Sequence, residues 1–277
     1  ELFPALKDLK VTETTPIKQA IVKSVFRDLN NYMKKGTLLR QVTNVVDSIE
    51  FTNSAEKHEF GEIYETMLLE LQSAGSSGEF YTPRPVTNFM TEMLAPQLGE
   101  KIADFACGTG GFLTSALTYL DKQIETTEDK KKYDSSIYGV EKKSLPYLLC
   151  ITNMLIHNIE EPAIEHKNSL EKNVSDYSEK DKFDVILMNP PYGGSEEKII
   201  QNNFPTNLRG SETADLFMTL IMYRLKKFGR AAVILPDGFL FGTDNTKYNI
   251  KEKLVHEFNL HTIIRMPNSV FAPYTSI

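Results

Sequence analysis

The residues best suited to chemistry form a short run, Asn189-Pro190-Pro191-Tyr192, directly after the strand-like stretch 184–188. Two prolines stiffen the backbone and cannot continue a strand ladder, so Asn189 and Tyr192 would project from a rigid platform at the carboxyl end of a strand. That arrangement suits methylation of a planar amine. The lone pair of an adenine-type amino group is delocalised into its ring. If the Asn189 side-chain carbonyl and the Pro190 main-chain carbonyl accept its two hydrogens, the nitrogen regains nucleophilic character. The protein then supplies orientation and electrostatics, with neither a metal nor a strong general base required. Asn189, Pro190, Pro191 and Tyr192 are therefore the candidate catalytic residues. Tyr192 would stack on a target base, which must leave its helix to reach a buried site.

An Asn-Pro-Pro-Tyr run on its own can be a surface turn, but a second signal lies upstream. Asp104-Phe105-Ala106-Cys107-Gly108-Thr109-Gly110-Gly111-Phe112 is a glycine-rich turn between an expected strand and an expected helix, where glycine permits close backbone approach to a ligand. It has neither the Gly-x-Gly-x-x-Gly spacing of dinucleotide sites nor the Lys-Ser/Thr end of a phosphate-binding loop, which disfavours a nucleotide phosphate. The free N–H groups of a helix start can instead hold a carboxylate, such as that of a methionine moiety. Asp104 can pair with the accompanying amino group, and Glu141, ending the next strand, can accept from both hydroxyls of a ribose.

These groups need a scaffold to bring them together. The segments 102–105, 137–140, 163–166, 183–188, 231–235 and 262–266 have strand composition and alternate with helical segments. This predicts an α/β fold with a mostly parallel sheet, helices on both faces and a ligand crevice at the carboxyl ends of the strands. Segment 215–228 reads as an amphipathic helix closed by a left-handed Gly229. The charged inserts 121–134 and 171–182 read as solvated connections.

The N-terminal quarter has a different pattern. Ile17, Ala20, Ile21, Ser24 and Val25 form one helical stripe, Leu38, Val42, Val45, Val46 and Ile49 a second, and Ile63, Met67, Leu68 and Leu71 a third. Helix packing is the simplest reading of all three. The expected organisation is a small all-helical domain over 1–75 and a catalytic domain over 76–277, joined at the small-residue segment 74–78.

The bulk properties restrict this picture. The chain has 277 residues, 41% of them hydrophobic and 25% charged, with a formal net charge of −6. Since phosphate neutralisation supplies most non-specific DNA affinity, a chain this acidic must bind DNA through a local basic patch or a partner. Two cysteines, Cys107 and Cys150, are too few for a disulfide framework and fit a reducing cytoplasm. No apolar run is long enough to span a membrane. The first residue is not Met, which suggests a fragment of a longer protein.

Together these motifs resemble the amino-methyltransferase family of Rossmann-like, S-adenosylmethionine-dependent enzymes. More narrowly, they resemble the modification subunit of type I restriction-modification systems, over about residues 60–277. The most diagnostic segment is Glu79-Phe80-Tyr81-Thr82-Pro83-Arg84-Pro85, which looks like the motif such DNA enzymes place ahead of the glycine loop.

The resemblance implies that Glu79, Phe80, Tyr81, Thr82, Pro83 and Arg84 line the cofactor. It also implies that Asp104 and the loop Gly108, Thr109, Gly110, Gly111 and Phe112 cradle the cofactor, Glu141 takes its ribose and Asn168 meets its adenine edge. Phe271 becomes a target-base contact beside Tyr192. The implied reaction is methyl transfer to N6 of a flipped adenine in double-stranded DNA, in the cytoplasm of a bacterium or archaeon. A separate specificity subunit would read the sequence, and a restriction subunit with nuclease and translocase activity can accompany it. The family's last sheet strand and C-terminal extension would lie beyond Ile277. Phe105 departs from the family pattern, which usually has Pro there, and should alter loop packing more than chemistry. The alternatives are a stand-alone adenine methyltransferase, an enzyme acting on protein glutamine or RNA amino groups, and a non-catalytic scaffold.

Overall fold

The computed structural model describes residues 2–12, 15, 19, 22–23, 26–27, 32–48, 64, 66, 81–267 and 269–271. Its centre is a parallel sheet of β1 (Ile102–Asp104), β2 (Ile137–Glu141), β3 (Ile164–His166), β4 (Phe183–Met188) and β5 (Leu225–Val233). Their spatial order is β3-β2-β1-β4-β5. β1 and β4 place consecutive apolar residues on both faces because both faces are covered. Ile102, Ala103, Val185, Ile186, Leu187 and Met188 have no exposed surface, and each large one contributes about 1.5–3 kcal/mol of burial.

Chain order reverses between β1 and β4, with Ile102 paired to Val185 and Ala103 to Ile186. The loops leaving these two strands therefore emerge side by side, at the switch point where doubly wound sheets hold their ligands.

One face of the sheet is covered by α3 (Arg84–Leu94), α4 (Gly111–Asp121) and α6 (Ser144–Ile156). The other is covered by α8 (Thr213–Arg224) and α10 (Asn245–Glu257), which follow the short helices α7 (Lys198–Gln201) and α9 (Asp237–Phe241). Helix α8 buries nearly every residue, so it is buried around its circumference rather than on one face. Its end differs from the expectation for 215–228: it stops at Arg224 and the chain turns extended at Leu225. The left-handed residue is Phe228, at φ 64°, and not Gly229. The cause is the ladder with β4. Leu225 pairs with Phe183 and Arg230 with Val185, so four residues bulge out between these pairs.

The expected strand over 262–266 is irregular, and Ile263 and Ile264 are exposed. Strand composition needs a ladder partner, and among the described residues none pairs there.

Of the N-terminal stripes, the second lies on helix α2 (Gly36–Asp47), but Leu38, Val42, Val45 and Val46 are exposed rather than packed. Short α1 (Leu2–Lys7) precedes it. Ile17, Ala20, Ile21, Ser24, Val25, Ile49, Ile63, Met67, Leu68 and Leu71 lie outside the described residues. Tyr64 is buried and donates to the Leu149 carbonyl of α6 at 2.6 Å.

The first charged insert contains α5 (Thr127–Asp134), opened by a Thr126–Asp129 capping box and burying only Tyr133. The second is two single 3-10 turns.

Buried Lys247 of α10 binds Glu212, Asp215 at 3.0 Å and Asp244 at 3.3 Å. The backbone at Glu212 forms an antiparallel β-bridge with Ser195, and Thr213 N–H donates to the Gly194 carbonyl at 3.0 Å. This charge cluster closes the stem of the long excursion that follows Tyr192. Among the described residues no helix is long and apolar enough to cross a membrane.

Candidate active site

The glycine loop leaves β1 and is stapled to its neighbours by its own backbone. Cys107 N–H donates to the Val140 carbonyl at 3.0 Å and Gly110 N–H to the Cys107 carbonyl at 2.7 Å. Asn153, buried in α6, donates from Nδ2 to the Thr109 carbonyl at 3.0 Å. Helix α4 starts from Gly110 at φ 85°, a left-handed cap that only glycine adopts without strain. Among the described residues no side chain caps this helix start, so its first N–H groups are available to a ligand.

Two carboxylates stand beneath the loop, both almost fully buried. Asp104 accepts the Ala106 N–H at 3.0 Å. Burial pushes its carboxyl up to about 8; the Ala106 N–H opposes the shift and the charge of Glu141 adds to it. Glu141 accepts Gly108 N–H at 2.9 Å on one oxygen and Lys143 N–H at 2.7 Å on the other. Burial raises its pKa as well. A carboxylate has about four acceptor sites, so Glu141 keeps capacity to accept from a hydroxyl.

Asn168 sits in the loop after β3, buried, with Oδ1 accepting the Leu170 N–H at 3.1 Å. Its neighbour Ser169 donates to the Phe105 carbonyl at 2.6 Å, fastening this loop to the end of β1.

The second loop leaves β4 at Asn189. Asn189 Nδ2 donates to Thr82 Oγ1 at 3.1 Å, and Asn189 Oδ1 accepts from the Tyr192 hydroxyl. The amide is thus fixed with its carbonyl oxygen on the Tyr192 side. That oxygen has two lone pairs, so it can accept a second hydrogen without losing Tyr192. Burial raises the Tyr192 phenol, keeping it a neutral donor.

Tyr192, Ile234, Pro236, Met266 and Phe271 wall one depression in front of this loop, with Asp237 and Arg265 also lining it. Phe271 and Tyr192, singled out separately from sequence, do meet around a common hollow.

The Tyr81–Arg84 segment joins the two loops. Thr82 touches Asn189, while Arg84 donates from Nη1 to the Gly111 carbonyl at 2.9 Å and to Thr114 Oγ1 at 2.5 Å. Pro83 caps α3, and Tyr81 is buried beside Tyr64 against Leu149 and Ile156. Glu79 and Phe80 lie outside the described residues.

Sequence reasoning did not find Asn153, Ser169 or Arg224. The Arg224 guanidinium lies 4.7 Å from the Phe105 ring centroid and 4.1 Å from that of Tyr177, and Phe105 is also edge-on to Phe183 at 5.7 Å. Phe105 is therefore accommodated by packing, as its buried aromatic character implies. Among the described residues no group of three or more His, Cys, Asp or Glu is placed to hold a metal ion.

A doubly wound parallel sheet with a capless glycine turn, an acidic second strand end and an Asn-Pro-Pro-Tyr loop at its switch point defines a Rossmann-like methyltransferase fold. The chain belongs to the N-6 DNA methylase family, which matches residues 55–277. It is 54% identical over 279 residues to the type I restriction enzyme EcoEI methylase subunit of Escherichia coli, covering all of this chain and 56% of that one. Its fold is similar to a modification subunit ascribed to a type I restriction enzyme of Vibrio vulnificus. There the identity is 47% and the TM-score 0.87, over 99% of this chain and 58% of that chain. A second solved chain, from work on complex assembly and conformational transition of the type I R-M system, is 34% identical with a TM-score of 0.90, over 99% and 55%. The chain thus spans little more than half the length of these relatives.

Proposed function

We propose that this chain is the catalytic part of a type I modification subunit, transferring a methyl group from S-adenosylmethionine to N6 of an adenine flipped out of DNA. The observation that carries the reading is the Asn189–Thr82 hydrogen bond. It joins the segment typical of DNA amino-methyltransferases to the loop that would hold the amine, beside the glycine turn. S-adenosylmethionine would supply an electrophilic methyl on its sulfonium.

The chain's own residues do the rest. Asn189 Oδ1 and the Pro190 carbonyl accept the two amino hydrogens. Pro191 keeps the backbone rigid, and Tyr192 and Phe271 hold the base. On gaining that methyl group the amine nitrogen would become acidic and would release its proton to solvent. The cofactor's carboxylate would meet the N–H groups of Gly111 and Phe112, its ribose Glu141, and its adenine edge Asn168. Tyr81, Thr82, Pro83 and Arg84 stand beside that cradle, and Gly108, Thr109 and Gly110 shape it. Glu79 and Phe80 are assigned from sequence alone. Recognition of the DNA sequence is left to a separate specificity subunit, consistent with the acidic net charge, and a restriction subunit completes such systems. A type I modification subunit would work in the cytoplasm of a bacterium or archaeon.

Labelled S-adenosylmethionine offered to the complete protein with its accompanying subunits, together with unmethylated DNA, RNA or protein extract, should label adenine in DNA. Label confined to RNA or protein would overturn the reading.

A pH dependence tests the cofactor cradle separately. Asp104 titrates near 8 in the free protein, and a cofactor ammonium against it favours the ionised form, so binding below 8 must release a proton. The ammonium itself, with an α-amino pKa of about 7.7–8.0, stays charged over most of that window. Calorimetric affinity for S-adenosylmethionine should therefore rise ~10-fold from pH 6 to 7.5. Asp104→Asn should bind more weakly and lose the dependence. A flat profile in the unaltered protein would remove Asp104 from the ammonium.

A further inference from the structure

The hollow in front of Tyr192 is rimmed by an ion pair that neither methyl transfer nor packing requires. Arg265 donates from Nη2 to Asp237 Oδ2 at 2.7 Å, with the two side chains 74% and 50% exposed. A pair standing in water to this extent adds little to stability. Its position is informative instead, because Asp237 and Arg265 line the same depression as Tyr192, Met266 and Phe271.

A purine seated over Tyr192 remains attached to its sugar, and the flanking phosphodiesters must therefore lie at the mouth of the hollow. Among the described residues, the charged ones lining that hollow are Arg265 and Asp237. A planar guanidinium matches the geometry of phosphate oxygens, and a carboxylate repels them. In a chain of net charge −6, an exposed cation at this point has a large local effect on a polyanion.

We propose that Arg265 is a phosphate-binding residue that takes a phosphodiester next to the extruded nucleotide, and that Asp237 holds the guanidinium beforehand and competes with that phosphate. The inference rests on the proposed DNA substrate. Arg265 then acts on the substrate directly, while Asp237 sets how readily the cation is released. The two residues should therefore have opposite effects on DNA affinity, which a simple structural salt bridge would not produce.

The test uses the complete protein with its subunits and genomic DNA of the source cell amplified in vitro, so that all target sites are present and unmethylated. KM for DNA is measured from 50 to 200 mM salt for the unaltered protein, Arg265→Gln, Arg265→Lys and Asp237→Asn. Thermal unfolding and cofactor affinity check that each variant is folded. Losing one phosphate contact lowers the salt slope by about 0.9, so over this range KM of the unaltered protein should climb ~3.5-fold more than that of Arg265→Gln. Arg265→Lys keeps the charge and most of the slope. Asp237→Asn should lower KM at 50 mM salt.

An unchanged slope in Arg265→Gln overturns the assignment, and so does a raised KM without a slope change, which would mean a contact to the base instead. A raised KM in Asp237→Asn overturns the competing role of Asp237. These outcomes leave DNA methylation intact. If the unaltered protein methylates no DNA, the proposed function fails and the phosphate site fails with it.

Discussion

Asn189→Ala should lower the rate of methyl transfer about a thousandfold while leaving S-adenosylmethionine affinity within a factor of two or so. The size follows from what the amide does. In the proposed reaction its Oδ1 is one of two acceptors for the hydrogens of the target amine, and its Nδ2 is tied to Thr82 at 3.1 Å, which fixes the direction of that oxygen. Alanine removes the acceptor and frees Thr82 and Tyr192 together, so orientation and polarisation are lost in one step. Cofactor binding is spared because the glycine loop is held by separate contacts, from Val140, Asn153 and Glu141. Asn189→Asp keeps an acceptor oxygen and can accept from Thr82 in place of donating to it, so it should retain intermediate activity. Single-turnover transfer to DNA, paired with calorimetry of the cofactor, reads both quantities. A rate for Asn189→Ala within tenfold of the unaltered protein would remove Asn189 from the chemistry.

The parts of this site legible in sequence were those carried by short-range pattern. Val185 to Met188 is an apolar run that stops at a residue pair unable to extend a ladder, so both the strand and the projecting loop follow from local chemistry. The glycine turn and the acidic end of β2 are legible for the same reason: a strand, a turn and a helix start are contiguous. Elements whose conformation depends on distant partners were not legible. Leu225–Phe228 continues the helical period of α8, but the ladder with β4 claims it, and the bulge there puts Phe228 rather than Gly229 in the left-handed region. The 262–266 segment has the composition of a strand without a neighbour among the described residues. Arg84 is the clearest functional example. Its sequence context marks a motif, but its bond to the Gly111 carbonyl depends on α3 and α4 packing side by side, 27 residues apart in the chain. Ser169 and Asn153 likewise reach carbonyls far away in sequence, at Phe105 and Thr109. Such side chain to backbone bonds leave no periodic trace.

Among the glycines of the two loops, Gly110 carries the larger structural demand. Its φ of 85° costs an L-residue about 1–2 kcal/mol. A methyl group there would also meet Cys150 Sγ at 2.9 Å and Met154 Cε at 3.1 Å. Neither neighbour has room to retreat: both side chains are fully buried, and Cys150 Sγ lies only 3.7 Å from the Cys107 thiol. Overpacking of a filled core adds about 1–3 kcal/mol, so Gly110→Ala should destabilise the fold by roughly 2–5 kcal/mol in denaturant unfolding. It should also weaken cofactor binding, since the turn that presents the start of α4 is displaced. Gly193 offers the control. It too is left-handed, at φ 67°, but an added methyl meets nothing within 4 Å, so Gly193→Ala should show the backbone cost alone. Removing the obstructing sulfur separates the two contributions. Against a Cys150→Ala background, Gly110→Ala should keep the backbone strain and the Met154 contact but lose the clash with sulfur, so the coupling between the two sites should recover part of the about 1–3 kcal/mol of overpacking. Strict additivity of the pair would mean that the Cys150 contact is not what confines Gly110.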